Sequence, residues 1–234
     1  MEKKLYLIPT PIRENGLADL PTHTMDIIRS LDTFIVENAR TARRFIKTCE
    51  PPLPIQELNI IELDKHAEDQ DQNYLAEALK HADAIGLMSE AGCPAVADPG
   101  HLIVRQAHDL NMKIVPLIGP SSILLALMAS GMNGQQFQFH GYLSAKKELL
   151  PNDLRKLEKL SRSTKATQLF IEAPYRNTKL LESAFKVLDP NTFFCLAANV
   201  GAADQYIKTA KIKDWRRMDV PNVHKVPALF LLQS

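Results

Sequence analysis

The sequence predicts an α/β protein of two domains: an N-terminal, mainly parallel βαβ sheet over residues 1–118 and a C-terminal mixed α+β sheet over 119–234. Three observations predict it. Short apolar runs alternate with helical spacing through the first half. The second half ends in three consecutive strand-like runs. The charge balance flips near Gly119: residues 1–118 hold 12 Lys and Arg against 18 Asp and Glu, while 119–234 hold 16 against 9. With 234 residues, 45% of them hydrophobic, the chain is long enough for one large core or two smaller ones.

In the first half, Lys4–Ile8 is an apolar strand stopped by Pro9. Thr22–Leu31 has helical spacing at Met25, Ile28 and Leu31, and Thr33–Val36 is a strand. Arg40–Thr48 is helical and Pro54–Ile61 a short strand. Asp71–Ala82 is a helix with Leu75, Ala78 and Leu79 on one face; Ala84–Met88 is a strand, His101–Leu110 a helix and Lys113–Ile118 a strand. Strands alternating with helices give right-handed crossovers and a parallel sheet. In the second half, Ser121–Ala129 is an apolar helix, Gln136–Leu143 extended, Leu149–Leu160 an amphipathic helix, Ala166–Glu172 a strand and Arg176–Leu188 a helix. Thr192–Asn199, Gln205–Ile212 and Val226–Leu232 are strands joined by short turns.

Composition excludes several classes. Cys49, Cys93 and Cys195 form no CxxC pair and no metal-spaced set with the seven His, so neither a disulfide scaffold nor a zinc site is expected. The apolar run after Met1 stops at Pro9, too short for a signal peptide, and no stretch approaches the roughly 18 apolar residues of a membrane span. A cytoplasmic protein with no membrane contact is expected. GxGxxG, GxxxxGK[ST] and GxSxG are all absent from the sequence, which removes the dinucleotide, P-loop and serine-hydrolase readings.

Five segments carry chemistry. Met88–Gly100 follows a strand and precedes a helix, where ligands sit in open α/β sheets. Gly92 permits close backbone approach, Pro94 and Pro99 stiffen the loop, and Glu90 and Asp98 offer acceptors; spacing alone favours an ordinary Gly/Pro connection. Gly119-Pro120-Ser121-Ser122 is a helix start, with a serine cap as the plain reading and an anion site as the other. Leu5–Ile12 is a strand running into a Pro-stiffened turn. Arg40, Arg43, Arg44 and Lys47 share one helix face, suited to a polyanion or equally to internal ion pairs and solvent. In Glu172-Ala173-Pro174-Tyr175-Arg176, Arg176 is a fork for carboxylate or phosphate or half of an internal pair, and Tyr175 a stacking face or hydroxyl.

Taken together and in this order, these segments resemble the tetrapyrrole methylase superfamily, in its small-subunit rRNA ribose 2′-O-methyltransferase branch. The family's PTPIGNL is similar to Pro9–Asn15, its EDTR.T to Glu37–Thr41, and its SDAGTPGISDPG to Ser89–Gly100. Its PGPSA is similar to Ile118–Ser122, its FxGFLPxK to Phe139–Lys146, and its ESPHR to Glu172–Arg176. Arg13 replaces a family glycine, and the family's ARELTK falls on Ala197–Ala202 without its Arg, Glu and Lys. The sequence ends at Ser234, just after Leu229–Leu232, where the ribosomal enzymes carry a small extension.

The resemblance implies S-adenosylmethionine as methyl donor, held in a cleft between the domains. Pro9, Ser89, Glu90, Ala91, Gly92, Pro94, Asp98, Pro120, Ser121 and Ser122 would hold it, with Pro174 and Tyr175 from the second domain. Arg40, Arg43, Arg44, Lys47 and Arg176 would bind ribosomal RNA. Glu37, His66 and Glu172 are the candidate bases for a ribose hydroxyl, by residue type and motif position; for His66 alone, a solvated loop residue is the plainer reading. A homodimer is implied. The departures leave two other readings open: methylation of a small molecule such as a tetrapyrrole precursor, and a binder of RNA or nucleotide that has lost catalysis.

Overall fold

The structure, a computed structural model, describes residues 2–63, 73–146 and 148–234. It divides into two compact units, 1–121 and 122–234. Gly119, Pro120 and Ser121 thus belong to the first unit. They follow a strand whose extension is tied there, since Leu117 N–H donates to Leu7 O and Thr24 Oγ1 donates to Ile118 O.

The first unit is a five-stranded, wholly parallel sheet in the order β3-β2-β4-β1-β5. Its strands are β1 (Lys4–Ile8), β2 (Thr33–Val36), β3 (Asn59–Glu62), β4 (Ala84–Met88) and β5 (Lys113–Pro116). Its helices are α1 (Thr22–Ser30), α2 (Ala39–Thr48), α3 (Asn73–His81) and α4 (His101–Asp109). Strand side chains alternate between faces. Ile8, Phe34, Val36 and Met88 pack with Met25 and Ile28 of α1 and Ala42 and Ile46 of α2. Leu5, Ile35, Ile85 and Leu87 pack with Leu79 of α3 and Ile103 and Ala107 of α4. Gly86 is needed at the sheet centre: a Cβ there would lie 2.6 Å from Ile8 Cδ1 and 2.8 Å from Phe34 Cδ1.

β3 departs furthest from its expected bounds. β3 is Asn59–Glu62 rather than Pro54–Ile61, and Glu57 N–H donates to Pro54 O in a turn before it. Pro51, Pro52 and Pro54 have no N–H to give a sheet ladder, so pairing starts only after them.

The second unit is a mixed five-stranded sheet in the order β6-β7-β10-β8-β9. Its strands are β6 (Phe137–Tyr142), β7 (Thr167–Ile171), β8 (Phe193–Ala198), β9 (Tyr206–Lys211) and β10 (Ala228–Gln233). Only β6 and β7 pair in parallel; β7–β10, β10–β8 and β8–β9 are antiparallel. Ala126 and Leu127 of α5 (Ser122–Ser130) cover Leu169, Cys195, Ala197 and Leu231 on one face. Helices α6 (Leu150–Thr164) and α7 (Asn177–Val187) cover Phe170, Phe194, Leu196 and Phe230 on the other. A short helix not expected from sequence, α8 (Ile212–Trp215), ends β9 and buries Trp215, whose Nε1 donates to Phe194 O at 2.8 Å. Its four residues are too few to show a helical period.

No helix among the described residues is long and apolar enough to cross a membrane. Among the same residues, no cluster of His, Cys, Asp and Glu is placed to hold a metal ion.

Candidate active site

In a parallel sheet, the carboxyl ends of all strands lie at one edge, and the loops leaving them meet there. Four of the segments singled out above leave that edge of the first unit, from β1, β2, β4 and β5, and hydrogen bonds tie them together. Thr10, after β1, exchanges both main-chain hydrogen bonds with Gly92, after β4: Thr10 N–H to Gly92 O at 2.9 Å and Gly92 N–H to Thr10 O at 3.1 Å. The Glu37 carboxylate, after β2, accepts the Glu90 N–H at 2.7 Å. Cys93 Sγ donates to Pro120 O at 3.5 Å, bringing in the segment after β5.

Gly92 is required at its position. Its φ is +76°, in the left-handed region, and it is buried beneath the Thr10 bridge. Gly119 is required for a different reason: a Cβ there would stand 2.2 Å from Pro9 Cγ, so the segments after β1 and β5 approach through a missing side chain. Ala95 and Ala97 also adopt positive φ, 65° and 63°. Two alanines in that region mark a loop whose shape is imposed by its surroundings.

Asp98 does the imposing. Its Oδ1 accepts Gly100 N–H at 2.7 Å and Ala95 N–H at 2.9 Å, and Oδ2 accepts the same Ala95 N–H at 2.9 Å. Burial pushes its carboxyl above the usual carboxylate range; the Gly100 N–H opposes this, and the nearby Glu37 charge adds to it.

The expected donor-binding residues sort by exposure. Pro9, Gly92 and Pro94 are buried. Ser89, Asp98, Pro120, Ser121 and Ser122 are half-buried, and Glu90 and Ala91 are exposed. Ser89 Oγ donates back to Ala91 O and Gly92 O, closing the first turn of the loop. The side chains at 91, 92, 95 and 97 are no larger than methyl, while Glu90 and Val96 are exposed, so the loop offers main chain beside one carboxylate and one apolar side chain. A nucleoside with an amino-acid tail is matched by this donor set, with main-chain groups for a base edge and tail. A Cβ on Gly92 would reach within 3.6 Å of Pro120 O, filling the space between these two segments.

Two of the expected catalytic groups are already engaged. Glu37 is bonded to Glu90 N–H, as above. Glu172 is buried in the second unit and paired with Arg176, whose Nη2 donates to its Oε1, while Nη1 donates to Ala145 O at 3.0 Å. Ala173 N–H also donates to Glu172 Oε1 at 2.7 Å. Arg176, expected to bind RNA, is therefore committed to an internal carboxylate and a loop carbonyl. Breaking such a buried pair from one side costs about 3–5 kcal/mol. His66 lies outside the described residues.

The basic stripe is available. Asn38 caps α2, its Oδ1 accepting from Arg40 N–H at 3.0 Å and Thr41 N–H at 3.1 Å. Ala42 and Ile46 face the core, which turns Arg40, Arg43, Arg44 and Lys47 outward. All four are solvent-accessible, and none makes an ion pair among the described residues. Arg13, by contrast, holds Asp19 through both carboxylate oxygens at 2.8 Å; that hydrogen-bonded pairing raises the Arg13 pKa and lowers that of Asp19.

The sequence reading did not single out Thr10, Cys93 or Gly119 as site residues. Only Gly119 carried a signal, as a glycine between a strand and a proline.

Comparison with known proteins gives relatives over most of the chain. No family model matches the chain. A ribosomal RNA small subunit methyltransferase I of Buchnera aphidicola is 29% identical over 237 residues, 98% of this chain and 78% of that protein. Proteins of the same name from Vibrio cholerae and Bacillus subtilis are 33% and 32% identical over 79% of this chain, spanning 60% and 59% of their own lengths. The chain thus spans about three fifths of those two relatives. Among solved structures, a diphthine synthase superposes with a TM-score of 0.72 at 15% identity, covering 99% of this chain and 90% of that one. The methyltransferase CobJ superposes with a TM-score of 0.61 at 19% identity, covering 100% and 94%. The fold is that of the two-domain tetrapyrrole methylases, and over most of its length the chain is similar to proteins named ribosomal RNA small subunit methyltransferase I.

Proposed function

We propose that this chain is an S-adenosylmethionine-dependent methyltransferase acting on a ribose 2′-hydroxyl of small-subunit ribosomal RNA. The observation that carries the reading is the cross-braced loop cluster of the first unit, the Thr10–Gly92, Glu37–Glu90 and Cys93–Pro120 contacts. Those braces join the segments that resemble the donor-binding motifs of the relatives. The stripe of α2, exposed and without an ion pair among the described residues, supports an acceptor with a phosphate backbone.

The donor, when bound, supplies an electrophilic methyl on a positively charged sulfur. The residues here hold and align it. Ser89, the main chain of 90–92, Pro120 and Ser121 would hold it, beside the buried Pro9, Gly92 and Pro94. Rigid loops suit this chemistry, because most of the barrier reduction in an in-line displacement comes from alignment of nucleophile, carbon and leaving group. The ribose hydroxyl that accepts the methyl would have to give up its proton to a base or to water. Glu37 and Glu172 serve as positioning residues in this reading, since each carboxylate is already bonded to main-chain or guanidinium N–H groups. The protein works as a cytoplasmic homodimer in the same reading, which sedimentation equilibrium checks.

The test is transfer of a labelled methyl group. Purified protein with labelled donor is expected to label the RNA of small ribosomal subunits at ribose, in alkali-resistant dinucleotides. Label found only on a small-molecule acceptor, with the subunits blank, overturns the reading.

A further inference from the structure

We infer that the second unit carries its own docking platform for single-stranded RNA, built on Tyr142 and Tyr175 and flanked by Lys146 and Lys225. The inference rests on the RNA-acceptor reading above and deepens it. Both tyrosines lie at one end of the second sheet. Tyr142 closes β6 and is in register with Ile171, the last residue of β7, and Tyr175 follows four residues later. They are 63% and 62% exposed. Large aromatic rings so placed are available for stacking.

Their backbones are held. Between Phe139 and Tyr142 the pairing of β6 with β7 shifts register, with Gly141 at a φ of +64°. Such a bulge re-aims the side chain that follows it. Tyr175 sits in a three-residue 3-10 turn, Pro174–Arg176, braced on both sides. Lys225 N–H donates to Pro174 O at 2.9 Å, and Arg176 N–H donates to Ala173 O at 2.8 Å. Arg176 Nη1 reaches Ala145 O at 3.0 Å, and Asn177 Nδ2 donates to Val223 O at 3.1 Å and Val226 O at 2.7 Å. The loops 143–146, 173–176 and 222–227 are thereby one assembly.

The charge of that assembly is mainly positive, with the exposed carboxylate of Glu148 two residues beyond Lys146. The three loops contain Lys146, Arg176, His224 and Lys225 and no carboxylate. Two acidic side chains from neighbouring positions bond to them, and both are engaged. Glu172 is buried and neutralised by Arg176. Asp153, half-buried on α6, accepts Ser144 N–H at 3.3 Å and faces Lys156 Nζ at 3.5 Å. Lys146 and Lys225 are exposed and unpaired among the described residues. Exposed aromatics on a rigid backbone, in loops that carry cations and no carboxylate, match the requirements of unpaired bases on a phosphate strand. The internal Glu172–Arg176 pair then has a purpose: it stiffens the mount of Tyr175 without adding net charge.

Binding of a mixed-sequence single-stranded RNA oligonucleotide, measured by fluorescence anisotropy at several salt concentrations beside donor binding by calorimetry, tests this. Tyr142→Ala and Tyr175→Ala are each expected to weaken RNA binding roughly 5- to 100-fold, with the salt slope unchanged. Tyr175→Phe should bind like the parent, and Lys146→Ala and Lys225→Ala should each reduce the salt slope by about 0.7. Donor affinity should stay unchanged in Tyr142→Ala, Lys146→Ala and Lys225→Ala. Parent-like RNA binding by both tyrosine-to-alanine variants overturns the platform while leaving the RNA-acceptor reading intact. Loss of donor binding in Tyr175→Ala with RNA binding unaffected also overturns it, and makes Tyr175 a donor contact. A parent protein that binds no RNA removes both.

Discussion

The carboxylate of Glu37 accepts the main-chain N–H of Glu90 at 2.7 Å, joining the loop after β2 to the loop after β4. A side chain of the type expected for a base is thus a brace, and its loss should read as a binding defect. Glu37→Ala is expected to weaken donor binding by roughly tenfold, the scale of one charge-assisted hydrogen bond. Glu37→Gln retains an acceptor and should restore most of that affinity, with turnover within a few-fold of the parent. Calorimetry beside single-turnover rates checks this. Parent-like donor affinity with turnover abolished in Glu37→Gln would return the residue to general-base duty.

Gly119 stands against Pro9 so closely that any side chain collides, with 2.2 Å from an added Cβ to Pro9 Cγ. Gly119→Ala must push the segments after β1 and β5 apart. Overpacking of this kind costs about 1–3 kcal/mol, and the donor site should suffer with it. Denaturant unfolding is expected to show the destabilisation and calorimetry the lost donor affinity. A variant as stable as the parent would contradict the close approach of these two segments.

Asp98 gives the site a pH dependence. Burial raises its carboxyl in the folded protein above its unfolded value. Its contribution to stability is therefore fully present below the unfolded carboxylate range and is lost as pH rises through the raised folded value. In the Asp98→Asn variant the side chain stays neutral and keeps one acceptor oxygen for the Gly100 and Ala95 N–H groups. The variant should gain stability relative to the parent as pH rises from acid toward neutral, measured by unfolding at each pH. A variant that instead loses ground to the parent over that interval would contradict the assignment.

The α2 stripe makes the electrostatic prediction. Arg43→Glu with Arg44→Glu removes two exposed cations and adds two anions on an exposed face, so the fold should not change. RNA affinity should fall at least tenfold at moderate salt, and donor affinity should hold. Filter binding across a salt series reads the first and calorimetry the second; equal RNA affinity would discard the stripe as a contact surface.

Local pattern made much of this protein legible. The apolar runs at Lys4–Ile8, Thr33–Val36 and Ala84–Met88 could only be buried strands once helices were read between them, and the motif order carried the family. The short helix Ile212–Trp215 and the late start of β3 were not legible: one is too brief to show a period, and the other begins only where the prolines end. What single residues do was decided by the tertiary structure. Glu37, Asp98, Glu172 and Arg176 all read as groups aimed at a ligand, yet each is bonded to another part of the chain. Arg40, Arg43, Arg44 and Lys47 could equally have been internally paired, and among the described residues they are not. Sequence spacing determines which residues share a face or a strand end, because the period of the backbone is local. Whether a charged group meets a partner depends on loops brought together from distant positions, and only the folded chain states that.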